Sequence, residues 1–578
     1  MIPNKRPGAA LFCNLTLILA GAVLFAASFP NPLVSGGFPI LAWIAWVPVF
    51  WVIRRIGQDS NFSGSRDSSR GYGQAALWGA LYGAVSYTLF VPWLSSFHPA
   101  AGLAAAVLQL CYMALLFPLL KLTVVFYPRR AYLVQWLLWL SYEYLRTLGF
   151  LGFPYGISGY TQWSFTPLLG ISSVFGVWGV SALVLFPSVY LGSALAEKPA
   201  LFGGTLSGLG AFFRSERPAA ALWLAALGAA LFFGFLHLDD GENETGRASI
   251  VLVQQNADPW QDNTPEGYQR ILRILTGLSE EAVAARSGID VAGSGIDAAG
   301  AGTNSIRRAA DLVVWPETAF VPRIYWHLNY RDNSAVNYTV VKELMDFLET
   351  QKVPYLIGND DARLEAIPGG GWDRVDYNGA LFFDGAELKE TYRKIRLVPF
   401  AEYFPYKKTF PRIYRALEEN TTFWKPGSKL VVFDTGKFRF SAPICFEDSF
   451  GYLSREFTRQ GADLIVNLSN DSWAESLSCQ MLHLAMSVFR AAENRRSLVR
   501  ATTSGQTCAI SPSGKILAMA PPFTQTFLNV TVPLVKSRTL YTIWGDLWAV
   551  LFSVSAGMLL LIGAIRSILR VIKTGRNV

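Results

Sequence analysis

The stretch SAPICFEDSF, residues 441–450, ends an apolar run with a cysteine and places two carboxylates directly behind it. A short continuous apolar run of this kind is typical of a strand that is covered on both faces. The position of Cys445 is unusual, because the neighbouring anions of Glu447 and Asp448 make a thiolate harder to form. The stretch therefore predicts a layered α/β domain and marks Cys445 as a candidate for chemistry.

Similar strand-like runs recur on both sides of this stretch. They are ASIVLVQQN, DLVVWPETA, VPYLIGND, NGALFFD, ADLIVNLSND, SLVRATTSG and TCAISPSGKIL. Between them, VNYTVVKELMDFLETQ and SLSCQMLHLAMSVFRAAENRR have the apolar spacing of helices. Strands and helices in this arrangement predict an α/β architecture in layers. A segment over 282–310, rich in Ala, Gly and Ser, is predicted to be a flexible insertion.

The rest of the chain is too apolar for an ordinary soluble enzyme. Of its 578 residues, 51% are hydrophobic and 16% are charged, against about a quarter charged in soluble domains. We predict seven membrane helices in 1–240, an external domain over 241–540, and an eighth helix with a tail in 541–578. The eight predicted spans are 9–29, 37–53, 74–97, 100–127, 131–148, 168–195, 219–238 and 543–572.

Basic residues in the short connections predict the orientation of this bundle. Five basic sets fall on the same side when eight crossings are counted: Lys5 and Arg6; Arg54, Arg55, Arg66 and Arg70; Arg129 and Arg130; Lys198, Arg214 and Arg217; Arg566, Arg570, Lys573 and Arg576. We therefore expect both termini in the cytoplasm and the inserted domain on the external face, which in a bacterium is the periplasmic face of the inner membrane. These topological charges largely explain the net charge of +8, so we predict no nucleic-acid partner.

Three residues of the external domain stand near strand ends and could act together. Glu317 ends VVWPE, Lys394 lies in YRKIRLVPFAEYFP, and Cys445 ends APIC. Side chains at strand ends are held rigidly and point into the adjoining cleft. Together they supply a base, a cation and a nucleophile, which is the set that acyl transfer needs. The four histidines are not clustered, and we predict no metal site.

Several motifs carry a resemblance to a known family. WPET (315–318), RKIRLVPFAEYFP (393–405), CFED (445–448) and NLSNDSW (467–473) resemble the nitrilase superfamily, a carbon-nitrogen hydrolase type of domain. With eight predicted spans around that domain, the chain resembles the apolipoprotein N-acyltransferase family, which completes bacterial lipoprotein maturation. The resemblance implies a polytopic α-helical membrane bundle with an inserted nitrilase-like αββα sandwich.

The resemblance also implies roles for individual residues. Glu317 would be the general base, Lys394 the electrostatic stabiliser and Cys445 the nucleophile. Three further residues match positions near the family's active site: Glu402, Glu447 and Trp260. The implied reaction is a ping-pong exchange, in which Cys445 takes an acyl chain from a phospholipid as a thioester. The α-amino group of a diacylated apolipoprotein then accepts that chain. No cofactor is required, and we expect a monomer in the lipid bilayer.

One further residue has a predicted structural role, and three features remain open to more than one interpretation. Asp448 is predicted to cap the helix that begins near Phe450, so that Asp448→Asn would mostly lower stability. Glu143 and Arg146 lie one helical turn apart in the fifth predicted span. They could contact a lipid headgroup or support the external loop, or they could instead be a pair that fixes two helices. The aromatic segments AFVPRIYWHLNY and EYFPYKKTFPRIY could be mobile lids that contact acyl chains, or ordinary packing.

Two other functions are alternatives to acyl transfer. A tethered amidase of the nitrilase superfamily would need only one anchor, whereas eight spans are predicted. A transporter with an external capture domain would be expected to show paired spans interrupted by Gly and Pro, and the predicted spans lack that pattern. The sequence therefore favours the acyltransferase.

Overall fold

The computed structural model describes residues 7–56, 68–97, 99–197, 217–238, 243–286, 296–298, 309–331, 335–366, 370–418 and 423–575. The chain divides into two compact units, one formed by Met1–Phe235 with Asp546–Val578 and the other by Leu236–Gly545. Some of the basic residues used to predict the orientation lie outside the described residues: Lys5, Arg6, Arg66, Lys198, Arg214 and Arg576. Most of the predicted flexible insertion, 287–295 and 299–308, also lies outside them.

The first unit is helical. Its helices are α1 (Pro7–Ser28), α2 (Val47–Arg55), α3 (Ser68–Phe90), α4 (Leu94–Phe97), α5 (Pro99–Phe126), α6 (Ala131–Leu145), α7 (Thr166–Leu169), α8 (Ser172–Phe175), α9 (Val177–Glu197), α10 (Arg217–Leu236) and, at the end of the chain, α18 (Leu547–Gly575). Short 3-10 turns lie at Pro39–Trp43 and Ser158–Gln162.

Five helices in the described part of the chain are long and apolar enough to cross a membrane. They are Gly8–Ser28, Ala100–Phe126, Val177–Glu197, Pro218–Leu236 and Leu547–Lys573. The other three predicted spans fall on α2, α3 and α6. The nine residues of α2 reach about 14 Å, roughly half the thickness of a bilayer core. The structure therefore supports a membrane protein with several spans.

Glycines bring two of these helices into close contact. A Cβ atom on Gly79 of α3 would lie 2.2 Å from the carbonyl oxygen of Met113 in α5, and one on Gly83 would lie 2.3 Å from that of Gln109. Helices in membranes commonly associate through small residues, because these let the backbones approach closely. A larger residue at either position would separate α3 from α5.

The second unit contains two β-sheets. Its strands are β1 (Glu244–Gln254), β2 (Ile296–Ala298), β3 (Leu312–Val314), β4 (Tyr355–Ala366), β5 (Trp372–Asp384), β6 (Glu387–Arg393), β7 (Val432–Asp434), β8 (Arg439–Ser441), β9 (Leu464–Ser469), β10 (Ser497–Thr502), β11 (Cys508–Ile510), β12 (Ile516–Met519) and β13 (Thr526–Val535). Its helices are α11 (Pro265–Arg286), α12 (Ile324–Tyr330), α13 (Tyr338–Thr350), α14 (Pro411–Glu418), α15 (Gly451–Arg459), α16 (Leu477–Asn494) and α17 (Leu540–Trp544).

The two sheets form a sandwich between helices. The first sheet has the order β2-β13-β1-β3-β4-β5-β6, and the second has the order β12-β11-β10-β9-β8-β7. Strands β1, β3 and β4 are parallel neighbours in the first sheet, as are β8, β9 and β10 in the second. The inner faces share one apolar core, to which β1 contributes Ile250 and Leu252, and β9 contributes Leu464 and Val466. Helices α11 and α13 pack on the other face of the first sheet, and α16 packs against β10.

Alternation along β1 explains this layering. Ile250 and Leu252 point to the core between the sheets, whereas Val251 and Val253 point to the helices on the other face. Successive side chains of a strand point to opposite faces, so a strand covered on both sides reads as a continuous apolar run. The predicted αββα arrangement is thus observed. Along the chain, strands β3, β6 and β8 end one to four residues before Glu317, Lys394 and Cys445, respectively.

Candidate active site

Glu317 is held by three hydrogen bonds just beyond the end of β3. Its Oε1 accepts from Asn378 Nδ2 at 2.7 Å and from Lys394 Nζ at 3.0 Å. Its Oε2 accepts from the backbone N–H of Asn470 at 2.9 Å. The residue is 5% exposed. All three partners are donors, so both carboxylate oxygens of Glu317 are hydrogen-bonded in this buried site.

Lys394 directly follows β6 and lies between two carboxylates. Its Nζ donates to Glu317 and, at 2.6 Å, to Glu402 Oε1. Burial lowers the pKa of Lys394, but the two carboxylates outweigh that effect and raise it well above the usual range. Glu402 Oε2 accepts from the N–H of Val398 at 2.9 Å. Burial raises the pKa of Glu402, and the ammonium of Lys394 opposes that rise. The lysine is therefore a fixed, fully buried cation.

Cys445 begins a tight turn with an unusual backbone conformation. Its φ angle is +50°, and it starts the 3-10 turn Cys445–Ser449. Non-glycine residues adopt such an angle only where the surroundings impose it. Burial raises the pKa of the Cys445 thiol well above its usual value, Glu317 raises it further, and Lys394 opposes both. The resting thiol is therefore protonated and needs a base at the moment of attack.

Glu447 joins the segment after Lys394 to the turn that carries Cys445. Its Oε1 accepts from the backbone N–H groups of Ile395 at 2.7 Å and Arg396 at 2.9 Å. Its Oε2 accepts from the N–H of Ile444 at 2.9 Å, and Tyr392 Oη donates to the same carboxylate at 2.9 Å. Burial raises the pKa of Glu447 to about 7, although these donors favour the charged form. Glu447 thus fixes the spacing between the cation and the thiol.

The predicted role of Asp448 as a helix cap is wrong. Helix α15 begins at Gly451 and its N-cap residue is Phe450, which makes no side-chain cap bond. Asp448 is instead fully buried and lies 2.6 Å from His483 Nε2 through its Oδ1. Its Oδ2 pairs with Arg500. The reason is that the Cys445–Ser449 turn directs this carboxylate inward, towards His483 and Arg500 and away from the first turn of α15.

Trp260 lies at the edge of the same region. Its Nε1 donates to Thr318 Oγ1 at 3.4 Å, one residue beyond Glu317. Its ring lies 6.4 Å from that of Trp424, whose Nε1 donates to Asp360 Oδ1 at 2.9 Å and whose backbone N–H donates to the carbonyl of Glu402. Two half-buried tryptophans therefore stand beside the carboxylates.

Glu143 and Arg146 of the first unit both hold the loop that follows α6. Glu143 accepts from the backbone N–H and the hydroxyl of Ser158, each at 3.1 Å. Arg146 donates to Tyr87 Oη at 2.7 Å and to the carbonyl of Phe153 at 3.2 Å. Of the two interpretations left open by the sequence, these contacts favour support of the loop.

The two aromatic segments differ in exposure. In the segment after Glu317, Phe320, Val321 and Ile324 are buried in the core under α13. At the other end of that segment, Leu328 and Tyr330 are exposed. In the segment after Glu402, Tyr406 and Phe410 are exposed, as is Phe400 two residues before Glu402. The first segment is therefore ordinary packing over its first half, whereas the second is exposed at two of its aromatic positions.

Sequence reasoning did not find several residues that complete this site. They are Asn378, Asn470, Tyr392, Trp424, His483 and Arg500. Asn470 lies within the motif NLSNDSW and Arg500 within the strand-like run SLVRATTSG, and neither residue was assigned a role. The signal that could have indicated them is a polar residue within an apolar run, because a polar residue that is buried in a strand requires a hydrogen-bond partner.

Comparisons with known proteins agree with this architecture. Residues 249–541 match the family model described as carbon-nitrogen hydrolase, and residues 21–190 match that of the apolipoprotein N-acyltransferase N-terminal domain. The chain is 42% identical to apolipoprotein N-acyltransferase 1 of Treponema pallidum, over 96% of each chain. It is 41% identical to apolipoprotein N-acyltransferase 1 of Treponema denticola, over 94% of each.

Among solved structures, Nit3 of Saccharomyces cerevisiae aligns with 50% of this chain and 91% of its own, at 17% identity and a TM-score of 0.34. That score is too low to add to the assignment, which rests on the relatives of similar length. On their identity and coverage, the chain belongs to the apolipoprotein N-acyltransferase family.

Proposed function

We propose that this protein transfers an acyl chain from a phospholipid to the α-amino group of the diacylglyceryl-cysteine at the N-terminus of an apolipoprotein. The observation that carries the proposal is the arrangement of one buried ammonium, Lys394, between Glu317 and Glu402 beside the strained turn of Cys445. This arrangement supplies a base, a fixed cation and a nucleophile, which acyl transfer requires. Membership of the family supports the choice of substrates.

In the first half-reaction the Cys445 sulfur attacks the ester carbonyl of the phospholipid. Glu317 takes the thiol proton as the S–C bond forms, and the carbonyl π pair becomes the oxyanion. Lys394 faces that oxyanion with its charge already in place, so no group has to reorganise. The ester C–O bond then breaks, and the proton on Glu317 passes to the departing oxygen. A lysophospholipid leaves, and the acyl chain remains on sulfur as a thioester.

In the second half-reaction the free α-amine of the acceptor attacks the thioester. The N–C bond forms, Glu317 takes the excess ammonium proton, and Lys394 again stabilises the oxyanion. The C–S bond breaks, and the proton returns from Glu317 to the sulfur of Cys445. The product is an amide, and the enzyme regains its resting thiol. Glu317 can thus serve both half-reactions, because it passes its proton to the leaving group at the end of each.

The membrane setting of this proposal follows from the helices and the basic residues. We propose seven helices before the catalytic domain and one after it, with both termini in the cytoplasm and the domain on the periplasmic face. Five apolar helices support a multi-pass protein. The exposed aromatics Phe400, Tyr406 and Phe410 support contact of the segment after Lys394 with acyl chains or the bilayer.

Mass spectrometry of the purified full-length protein tests the proposal. Incubation with a phospholipid of defined acyl chains should add the mass of one acyl chain to the peptide that contains Cys445 and release one lysophospholipid. Addition of a synthetic diacylated lipopeptide should then remove the adduct and increase the lipopeptide mass by that acyl chain. Release of free fatty acid without a gain in lipopeptide mass would instead indicate a hydrolase, and absence of any adduct would refute the thioester route.

Glu447→Gln is expected to reduce acyl transfer about 10- to 100-fold, the scale of loss when reacting groups are misplaced by about 1 Å. All partners of Glu447 are donors, so the amide NH2 of glutamine would face one of them. An unsatisfied buried donor costs about 1–3 kcal/mol. The measurement is the transfer rate per folded molecule, together with the thermal midpoint.

Glu456→Gln is the control for this variant, since Glu456 lies on α15 and pairs at the surface with Arg459. It should keep the wild-type rate and midpoint. If Glu447→Gln also kept the wild-type rate, the carboxylate would not be needed to hold Lys394 and Cys445 at the right distance from each other.

A further inference from the structure

A buried charged cluster lies directly behind the turn that carries Cys445. Its members are nine-tenths or more buried: Asp448, Asp471, His483, Ser487 and Arg500. They come from different elements, because α16 supplies His483 and Ser487 one turn apart and β10 supplies Arg500. Burying several charges is expensive unless each is paired and hydrogen-bonded. Such a cluster beside a strained turn therefore requires an explanation that the proposed acyl-transfer steps do not provide.

His483 connects the cluster to the nucleophile. Its Nε2 lies 2.6 Å from Asp448 Oδ1 and 3.2 Å from the backbone carbonyl oxygen of Cys445. Both of these oxygens are acceptors, so Nε2 carries the proton and donates to them. The same carbonyl also accepts from Asn467 Nδ2 at 3.2 Å. Two side-chain donors thus fix the direction of the Cys445 carbonyl.

Asp448 and Arg500 hold the imidazole in place. Asp448 Oδ2 accepts from Ser487 Oγ at 2.6 Å and pairs with Arg500 Nη1. The other guanidinium nitrogen, Nη2, lies 3.2 Å from His483 Nδ1. Asp471 Oδ1 lies 3.9 Å from the same Nδ1. Burial lowers the pKa of His483, but Asp448 and Asp471 outweigh that effect and raise it. Both ring nitrogens therefore have defined partners, and the ring has one orientation.

The fixed carbonyl matters because the peptide group is planar. The carbonyl of Cys445 sets the peptide plane that joins Cys445 to Phe446. The plane before Cys445 is held by the N–H of Glu447, which donates to the carbonyl of Ile444 at 3.1 Å. With both planes held, φ and ψ of Cys445 are fixed together, and the strained φ of +50° persists only because these contacts maintain it. Relaxation of this angle would swing the Cα–Cβ bond and move the sulfur away from Glu317 and Lys394.

We propose that Asp448, His483 and Arg500 form a positioning device that holds the Cys445 turn in its reactive conformation. In this device His483 makes the contact with the turn, through the backbone carbonyl of Cys445. The proposal rests on the proposed role of Cys445 as the nucleophile. His483 touches the carbonyl of Cys445 and is assigned no contact with substrate, so it is a positioning residue. Its loss should slow both half-reactions, because the same sulfur acts in each, and should leave the KM for phospholipid unchanged.

Three variants of His483 in the full-length protein test this role. His483→Leu removes the donor, His483→Asn keeps a polar group that is too short to reach the Cys445 carbonyl, and His483→Gln places an amide donor near the position of Nε2. Ser497→Ala is the matched control, since Ser497 is fully buried on β10, the strand that carries Arg500, and its hydroxyl donates to the carbonyl of Pro533 at 2.6 Å.

Two rates are measured for each variant, and both are expressed per folded molecule. One is alkylation of Cys445 by iodoacetamide, followed by peptide mass, and the other is formation of the acyl adduct on Cys445 from phospholipid. We expect His483→Leu and His483→Asn to slow both rates about 10- to 100-fold, as misplacement of a reacting atom does. His483→Gln should restore most of each rate. Ser497→Ala should lower the thermal midpoint, because it leaves the buried carbonyl of Pro533 without this donor, while keeping both rates.

Each outcome decides between positioning and a purely structural role. Equal rates for His483→Asn and His483→Gln, or wild-type rates for His483→Leu, would overturn the proposal. If His483→Leu does not fold, the comparison of His483→Asn with His483→Gln still separates the two roles. If the wild-type protein forms no acyl adduct, the proposed function fails, whereas the alkylation rates continue to test the positioning of Cys445.

Discussion

The Cys445→Ala variant is expected to fold as the wild-type protein does and to transfer no acyl chain. Without the sulfur there is no atom to form the thioester, and neither carboxylate of the site is placed to replace it, because Glu317 and Glu402 are both bound to Lys394. Alanine adopts the φ of +50° no less readily than cysteine does, so the turn should survive. Truncating one thiol should change the free energy of unfolding by about 1 kcal/mol.

The measurement is the release of lysophospholipid together with the mass of a diacylated lipopeptide. Both should remain at background for Cys445→Ala. Cys508→Ala is the control, because Cys508 is buried in β11 and burial raises the pKa of its thiol to about 12, which makes it inert. That variant should keep the wild-type rate. If Cys445→Ala transferred acyl chains at about one-hundredth of the wild-type rate or faster, the nucleophile would have to be another residue.

Glu317→Gln is expected to lower the rate of acyl-enzyme formation about 100- to 10,000-fold, the usual contribution of a general base. Glutamine cannot take the thiol proton, and its NH2 group would face a donor in place of a carboxylate oxygen. The pKa of the thiol is raised by burial and further by Glu317. Removing that charge should therefore lower the thiol pKa, yet the proton would have to leave to solvent.

The pH dependence of Cys445 alkylation separates these two effects. In Glu317→Gln, the iodoacetamide rate should rise about tenfold per pH unit until the thiol pKa is reached, since only thiolate reacts. In the wild-type protein the dependence should be shallower, because Glu317 accepts the proton during attack. Glu402→Gln is the comparison, since it removes the other carboxylate on Lys394 and leaves the base intact. Equal pH slopes for Glu317→Gln and the wild type would contradict the assignment of the base.

Much of the second unit could be predicted because its strands are covered on both faces. Runs such as ADLIVNLSND and ASIVLVQQN are continuous and apolar, and they correspond to β9 and β1. Strand β13 was not predicted, although it pairs with β1 over ten residues. Its sequence TFLNVTVPLV mixes polar residues and a proline with apolar ones. Its position beside β1 is decided by tertiary pairing, which local pattern does not reveal.

The candidate site could be predicted where its residues follow strand ends, and could not where side chains distant in sequence meet. Glu317, Lys394 and Cys445 all stand at or soon after strands. The environment of Asp448 could not be read in the same way, because its partners His483 and Arg500 are 35 and 52 residues away. A carboxylate followed by an apparent helix start suggests a cap, and only the fold shows that the side chain points inward.

The position of Lys394 between two carboxylates has a consequence for where the reaction can take place. With both carboxylates ionised, they and the one ammonium give the proposed site one net negative charge. In the proposed first half-reaction Glu317 takes the thiol proton as the oxyanion forms, so one negative charge moves and the total stays the same. The total is the same again in the proposed thioester state, once the proton has left with the alcohol. A mechanism at constant net charge needs no compensating movement of ions, so we expect it to be compatible with a site that lipid chains surround.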